Sequence, residues 1–185
     1  MLSMEEMQAL RTTERRHMIG VKNAFAAGLA LPPNSATDTT PFLLACTDYL
    51  EFILGRFHAQ GRANTGRLRP LVGDNQDELQ ILTDIETMLG KSEREISKLM
   101  AAASRFGQDP AAEQNAFVDA GRHYVDFYHS VFAQRKDPAQ QIIAKHFSDE
   151  DYWRLTNDFT DQSIDTERRL YARVKESAPP GVELD

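Results

Sequence analysis

Capping residues followed directly by proline divide this sequence into long segments with helical periodicity. Thr40-Pro41, Asp109-Pro110 and Asp137-Pro138 each place a short polar side chain before a proline. Such a side chain accepts a hydrogen bond from a backbone N–H group in the first turn of a helix. Proline suits the first helical position because the N–H group that it lacks would have no partner within the helix. Ser148 with Asp151 three residues later resembles another helix start. Since no alternating pattern typical of strands appears, the sequence predicts an all-α fold.

The apolar spacing and the breaker-rich loops together predict the order of the helices. Residues 29–38 and 104–110 are rich in turn-forming residues and separate the longer segments. The predicted helices cover residues 4–28, 41–66, 74–103, 111–136, 138–146 and 149–176. Four long amphipathic helices joined by short loops are best accommodated as an antiparallel four-helix bundle. We therefore expect one domain over 1–176, with an additional C-terminal helix beside the bundle, and a tail over 177–185.

The charge and composition argue against several classes of function. The formal net charge is -7 and the pI is about 5.3, whereas nucleic-acid and membrane-surface binders show basic patches. Cys46 is the single cysteine, so neither an intrachain disulfide nor a thiolate metal cluster is expected. The sequence shows no signal-peptide pattern and no apolar stretch of about 20 residues. A cytoplasmic location is the expectation.

Polar side chains continue the apolar stripes of the predicted helices, on the faces directed at the bundle axis. The helical wheel places ten of them there: Glu14, His17, Arg56, Gln60, Asn64, Arg67, Glu78, Tyr124, Tyr128 and Arg135. Burying so many polar groups is costly unless they satisfy one another or bind a ligand. We expect them to share one interior region. His58 lies roughly opposite the stripe of its helix and is expected to face outward or to contact the last helix.

These residues permit two interpretations without any metal. In the first, Arg56, Arg67 and Arg135 bind a small anion bidentately, and amide and phenol groups orient it. Those orienting groups are Gln60, Asn64, Tyr124 and Tyr128. In the second, the arginines pair with Glu14 and Glu78 and close one end of the bundle.

Three stretches of the sequence resemble the hemerythrin-like (HHE cation-binding) family. "RTTERRHMIGVKNAFAAGL" is similar to that family's first helix, with His17 at the position of a metal-binding histidine. "DYLEFILGRFHAQGRANTGRLRPLV" is similar to its second helix, which carries a His-x-x-x-Glu pair shortly before Leu-x-Pro. "FYHSVFAQRKDPAQQIIAKHFSDEDYWRL" is similar to its fourth helix and the segment beyond. The resemblance covers most of residues 10–155 and implies a hemerythrin-like four-helix bundle.

The metal ligands of that family are largely replaced in this chain. Counting back from Pro70 places Gln60 and Asn64 at the positions of the second-helix pair. Anchoring on His58 instead places Arg62 where the glutamate belongs. Glu78 falls at the position of the third-helix histidine. The resemblance thus implies a degenerate site for iron or another divalent cation.

Four residues remain as candidate metal ligands: His17, Glu14, Glu78 and His58. His58 joins the others only if glycines turn the second helix inward. Two functions therefore remain open from the sequence. One is a cation-binding domain that senses or binds metal or oxygen. The other is a metal-free bundle that binds a small anionic ligand or a protein partner. An enzyme is a weaker third option, because no nucleophile–base pair is evident. The exposed faces of the last helix would support a homodimer.

Overall fold

The protein is all-α over the residues that its structure describes. The computed structural model describes residues 2–31, 38–131, 138–156 and 158–184, without the side chains of 138–140, 151 and 154–156. The helices are α1 (Met4–Leu29), α2 (Thr40–Val72), α3 (Gln76–Gln108), α4 (Pro110–Val131), α5 (Pro138–His146), α6 (Asp149–Thr156) and α7 (Asp161–Ser177). The predicted all-α class is confirmed. No helix within the described ranges combines the length and the apolar character needed to cross a membrane.

The first four helices contact one another in cyclic order. Helix α1 packs against α2 and α4, and α3 packs against α2 and α4. Helix α7 lies mainly along α2 and also touches α1, whereas α5 contacts α2 and α3. The position of α7 decides which polar residues of α1 and α2 are buried.

Two apolar clusters hold the helices together. The larger one contains side chains from α1, α2, α3, α4 and α7. It includes the stacked rings of Phe106 and Phe117, whose centroids are 4.4 Å apart. The smaller one packs α2 and α3 against Ile142 of α5. Burial of such side chains is worth about 1.5–3 kcal/mol each, so these clusters account for most of the drive to fold.

Helix α2 is longer than predicted. It was expected to end at residue 66, but it continues through Pro70 to Val72. A proline inside a helix costs about 3 kcal/mol because it removes one hydrogen bond and crowds the preceding turn. Leu68 and Val72 are buried in the smaller cluster, and this burial offsets the cost.

The single helix predicted over 149–176 is wrong, because the chain leaves the helical conformation before residue 161. Thr160 starts α7 with a reciprocal cap. Its Oγ1 accepts from the backbone N–H of Ser163 at 3.0 Å, while its own N–H donates to Ser163 Oγ at 2.9 Å. This cap satisfies two backbone N–H groups at the start of α7, so α7 begins as a separate helix.

Two further boundaries differ from the prediction: the N-cap of α2 is Thr39 and not Thr40, and α3 continues to Gln108 through most of the predicted loop. The start of α4 agrees with the prediction. Asp109 Oδ1 accepts from the N–H of Ala112 at 3.1 Å, as its predicted capping role requires. Helix α4 is described as far as Val131, so the predicted end at 136 and the Asp137 cap fall outside the described residues. After α7, Ala178, Val182 and Leu184 pack against the larger cluster.

Candidate functional site

Helix α7 and the residues just before it cover a row of polar side chains on α1 and α2. We call this row, with the residues that cover it, the polar seam. It consists of Arg11, Glu14 and His17 of α1, Tyr49 and Arg56 of α2, and Asp158, Phe159, Glu167 and Tyr171. The seam brings together three residues that the sequence predicted to face inward, namely Glu14, His17 and Arg56.

One end of the seam is a group of two arginines and two carboxylates. Arg56 donates to Glu14, and its second terminal nitrogen lies 3.1 Å from Asp158. Asp158 also accepts from Arg11 at 2.7 Å. Glu14 is only 4% exposed, so burial raises the pKa of its carboxyl while the Arg56 charge opposes that rise. The formal charges of the four side chains cancel, which reduces the cost of burying them.

The ring of Phe159 lies close to both guanidinium groups of this cluster. Its ring centre lies 4.8 Å from the guanidinium carbon of Arg11 and 5.1 Å from that of Arg56. Phe159 itself is buried. Cation–π contacts of this kind add to the ion pairs and fix the start of α7 against α1 and α2.

The middle of the seam is a hydrogen-bonded trio around Glu167. Its Oε1 accepts from the hydroxyl of Tyr49 at 2.9 Å and lies 2.8 Å from Nδ1 of His17. Tyr171 stacks on the His17 ring, with centroids 3.7 Å apart. Burial, reinforced by the charge of Glu167, raises the pKa of Tyr49, so this phenol remains a donor.

A groove opens beside the seam, between α2 and α7, with a volume of about 660 Å³. Its α2 wall contains Arg56, Gln60 and Arg67, separated by Ala59 and Ala63. Its other wall contains Asp158, Thr160, Gln162, Ser163 and Thr166. Gln60 donates to Asn64 Oδ1 at 3.0 Å, which connects Asn64 to this wall. The groove can therefore present guanidinium, amide and hydroxyl groups to a polar ligand.

The structure does not gather the ten polar residues in one region, contrary to the sequence-based expectation. Glu78 lies at the start of α3, where it binds Lys145 and His146 of α5. Tyr124 is buried in the larger apolar cluster, and Tyr128 contacts it. A helical wheel gives the direction of a side chain but not the helix that will cover it, so residues of similar direction have different partners. Arg135 is outside the described residues.

His58 is buried, so the prediction that it faces outward or contacts the last helix is wrong. Its Nε2 lies 2.8 Å from Ser92 Oγ of α3, and the residue is only 5% exposed. Helix α3 packs against the face of α2 that was expected to be open. The predicted metal ligands His17, His58 and Glu78 thus have separate sets of partners. Within the described ranges, no three His, Cys, Asp or Glu side chains are grouped closely enough to hold a metal ion.

The sequence-based prediction did not include the residues that α7 and the segment just before it add to the polar seam. Asp158 and Phe159 lie in the break between α6 and α7, where the sequence predicted continuous helix. Glu167 and Tyr171 are four residues apart, and that spacing places two side chains on one face of a helix. A wheel drawn for the last helix would have identified this pair.

Comparison with known proteins adds no assignment. No family model matches the chain, and neither a curated protein nor a solved structure matches it.

Proposed function

We propose that this protein is a metal-free helical bundle that binds a small anionic ligand in the groove between α2 and α7. The observation that supports it is the groove itself, in which Arg56, Gln60 and Arg67 face three hydroxyl side chains. A volume of about 660 Å³ lies within the range of about 300–1,000 Å³ typical of small-molecule sites.

The spacing along α2 makes this wall a continuous face. Gln60 lies four residues after Arg56. Arg67 lies eleven residues after Arg56, which is close to three helical turns. Ala59 and Ala63 lie between them, and their small side chains leave room for a ligand. The groove thus measures about 16 Å from the first arginine to the second, at about 1.5 Å per residue.

The two arginines have different roles in this proposal. Arg56 is engaged with Glu14 and Asp158, so it supports the wall and does not provide the main anion contact. Arg67 is exposed at the other end of the α2 wall, where its planar guanidinium group would exchange its present contact for a carboxylate or phosphate. The groove also borders the start of α7, where the helix dipole favours negative charge. The ligand class is therefore a small organic acid or phosphate ester with polar groups along its length.

Ligand-induced thermal stabilisation tests the proposal. The wild-type protein is heated with inorganic phosphate, succinate and a nucleoside monophosphate, each over a concentration series. We expect at least one of them to raise the melting temperature, and Arg67→Ala to abolish the rise. Arg62→Ala is the matched control, since Arg62 lies on the same helix but pairs with Glu93 of α3. Absence of stabilisation by every anion would refute the proposal, and so would equal responses of the two variants.

The finer arrangement of the bundle is part of the same proposal. The cyclic order of contacts among α1 to α4 supports an antiparallel four-helix bundle of the hemerythrin-like type.

Cation binding around His17, Glu14 and Glu78 stays a prediction with weaker support, because Glu78 binds α5 and His17 binds α7. Metal analysis of the wild-type protein and His17→Ala after incubation with ferrous iron tests it. A homodimer likewise stays a prediction.

A further inference from the structure

A carboxylate of the protein itself occupies one end of the α2–α7 groove. Asp158 bridges two guanidinium groups with its two oxygens. Its Oδ1 accepts from Arg11 Nη2 at 2.7 Å, and its Oδ2 lies 3.1 Å from Arg56 Nη2. Both Arg56 and Asp158 line the groove, so a solute in the groove reaches this bridge. Guanidinium groups bind the carboxylate of a free organic acid with the same chemistry.

The contact between Asp158 and Arg56 is incomplete. Arg56 Nη2 is buried, yet it has no partner of hydrogen-bond geometry among the residues that the structure describes. The other terminal nitrogen of Arg56 donates to Glu14. The side chain of Glu14 is 5% exposed, whereas that of Asp158 is 26% exposed. Glu14 is thus the enclosed partner of Arg56, and Asp158 is the partner that a solute can reach and replace.

The position of Asp158 in the chain allows its carboxylate to leave the bridge. The residue lies outside the helices, two positions before the Thr160 cap of α7. Rotation of its side chain about the Cα–Cβ bond moves the carboxylate and leaves the backbone in place. Arg11, Arg56 and Glu14 then remain, with a formal charge of +1 from two cations and one anion. An incoming carboxylate restores neutrality.

We propose that Arg11 and Arg56 form a carboxylate-binding subsite, which Asp158 occupies as an internal competitor until a ligand carboxylate replaces it. The inference rests on the proposed function in one respect, because the groove is the ligand's route to the subsite. It narrows the ligand class from anions in general to carboxylic acids, since the bridge fits a group with two oxygens. A tethered competitor acts at an effective concentration of about millimolar or more, so it weakens ligand binding in the wild-type protein.

Chemical rescue tests the subsite. Asp158→Ala removes the internal carboxylate and leaves space for formate. We expect sodium formate to raise the melting temperature of this variant by about 3 °C or more beyond its effect on the wild-type protein. Asp158→Asn is the matched control, because it loses the same charge while its amide still fills the space. Sodium chloride at equal ionic strength corrects for the general effect of salt.

An effect of formate on Asp158→Ala no larger than on Asp158→Asn would overturn the proposal. If Asp158→Ala does not fold in buffer, circular dichroism during the formate titration gives the same decision. Recovery of helix would support the subsite, and a chain that stays unfolded would overturn it. Adding Arg11→Met to Asp158→Ala is expected to abolish the rescue, because formate then meets a single guanidinium group. Undiminished rescue would contradict the bridge.

Adding Arg67→Ala to Asp158→Ala separates this inference from the proposed function. Arg67 lies about three helical turns from Arg56, so we expect formate to stabilise the double variant as strongly as Asp158→Ala. Rescue by formate, with no response of the wild-type protein to phosphate, succinate or a nucleoside monophosphate, would refute the proposed function and support the subsite. A response of the wild-type protein that depends on Arg67, without any rescue, would do the reverse.

Discussion

Arg56 and Glu14 form an ion pair between α2 and α1 although 42 residues separate them in the sequence. The side chain of Glu14 is 5% exposed and that of Arg56 is 13% exposed, so neither charge is well hydrated. Asp158 approaches Arg56 from the other side and connects the pair to the start of α7. This one contact therefore couples three helices, and its loss would leave a buried carboxylate without its main partner.

Arg56→Met is expected to destabilise the protein by about 3 kcal/mol, because breaking a buried ion pair leaves an uncompensated charge. Urea denaturation at pH 7 measures the free energy of unfolding. The double variant Glu14→Gln/Arg56→Met is expected to recover part of the loss, because it removes the charge that Arg56→Met leaves unpaired. Arg62→Met is the control and is expected to cost less than about 1 kcal/mol, since its ion pair with Glu93 is exposed. Equal losses in Arg56→Met and Arg62→Met would contradict this description of the seam.

Phe159→Ala is expected to cost about 3–4 kcal/mol, since it removes a buried ring that contacts two guanidinium groups. Phe159→Leu keeps most of the apolar volume and is expected to cost under about 1.5 kcal/mol. Hydrogen exchange distinguishes a local effect from a global one. We expect faster exchange in α7 for the alanine variant, with α3 and α4 unchanged. Uniformly faster exchange in every helix would show that Phe159 does not act through α7.

Three glycines of α2 form a natural comparison, because the helix continues through all of them. A Cβ added at Gly61 would lie 2.9 Å from a methyl group of Leu89, whereas Gly55 and Gly66 have nothing within 4 Å. Alanine at the open positions is expected to stabilise by about 0.5–1 kcal/mol, because it lowers the entropy of the unfolded chain. Alanine at Gly61 is expected to destabilise by about 1 kcal/mol, because Leu89 must move. Thermal melts of the three variants measure both signs, and stabilisation by Gly61→Ala would refute the close approach of α3.

The helices could be predicted because their determinants are local. The predicted cap of Asp109 accepts from a residue only three positions later. The reciprocal cap at Thr160 is equally local but was not predicted, because the apolar pattern was continued across it. The inward direction of Glu14 and Arg56 also followed from helical periodicity alone. In each case, the physical cause lies within one or two turns of the chain.

The partners in the site could not be predicted, because they depend on which helix covers which face. Glu167 reaches His17 across 150 positions, and no local pattern encodes that contact. His58 was assigned to the wrong surroundings because its partner Ser92 lies on α3, whose rotation is fixed by packing. Hydrophobic burial is non-directional, so it selects the covering helix only through the fit of the whole core.

His58 provides a prediction with a defined pH dependence. Burial lowers its pKa from the ordinary value of 6.5, although the charge of Glu93 opposes the change. Below pH 6.5 the unfolded chain binds a proton at this position that the folded chain does not, so stability falls as the pH falls toward the folded pKa. Above pH 6.5 both states are neutral and the group contributes no pH dependence. The expected loss has a maximum slope of about 1.4 kcal/mol per pH unit.

The variant His58→Gln removes this titration, and its amide still reaches Ser92. We expect the free energy of unfolding of the wild-type protein to fall more steeply than that of the variant between pH 7 and pH 5.5. His123→Gln is the control. Because the His123 side chain is exposed, we expect this variant to keep the steep wild-type dependence of the unfolding free energy on pH. Urea titrations at four pH values measure the slopes. If wild type and His58→Gln have parallel profiles, His58 does not lie in the buried contact with Ser92, because an exposed imidazole would titrate alike in both states.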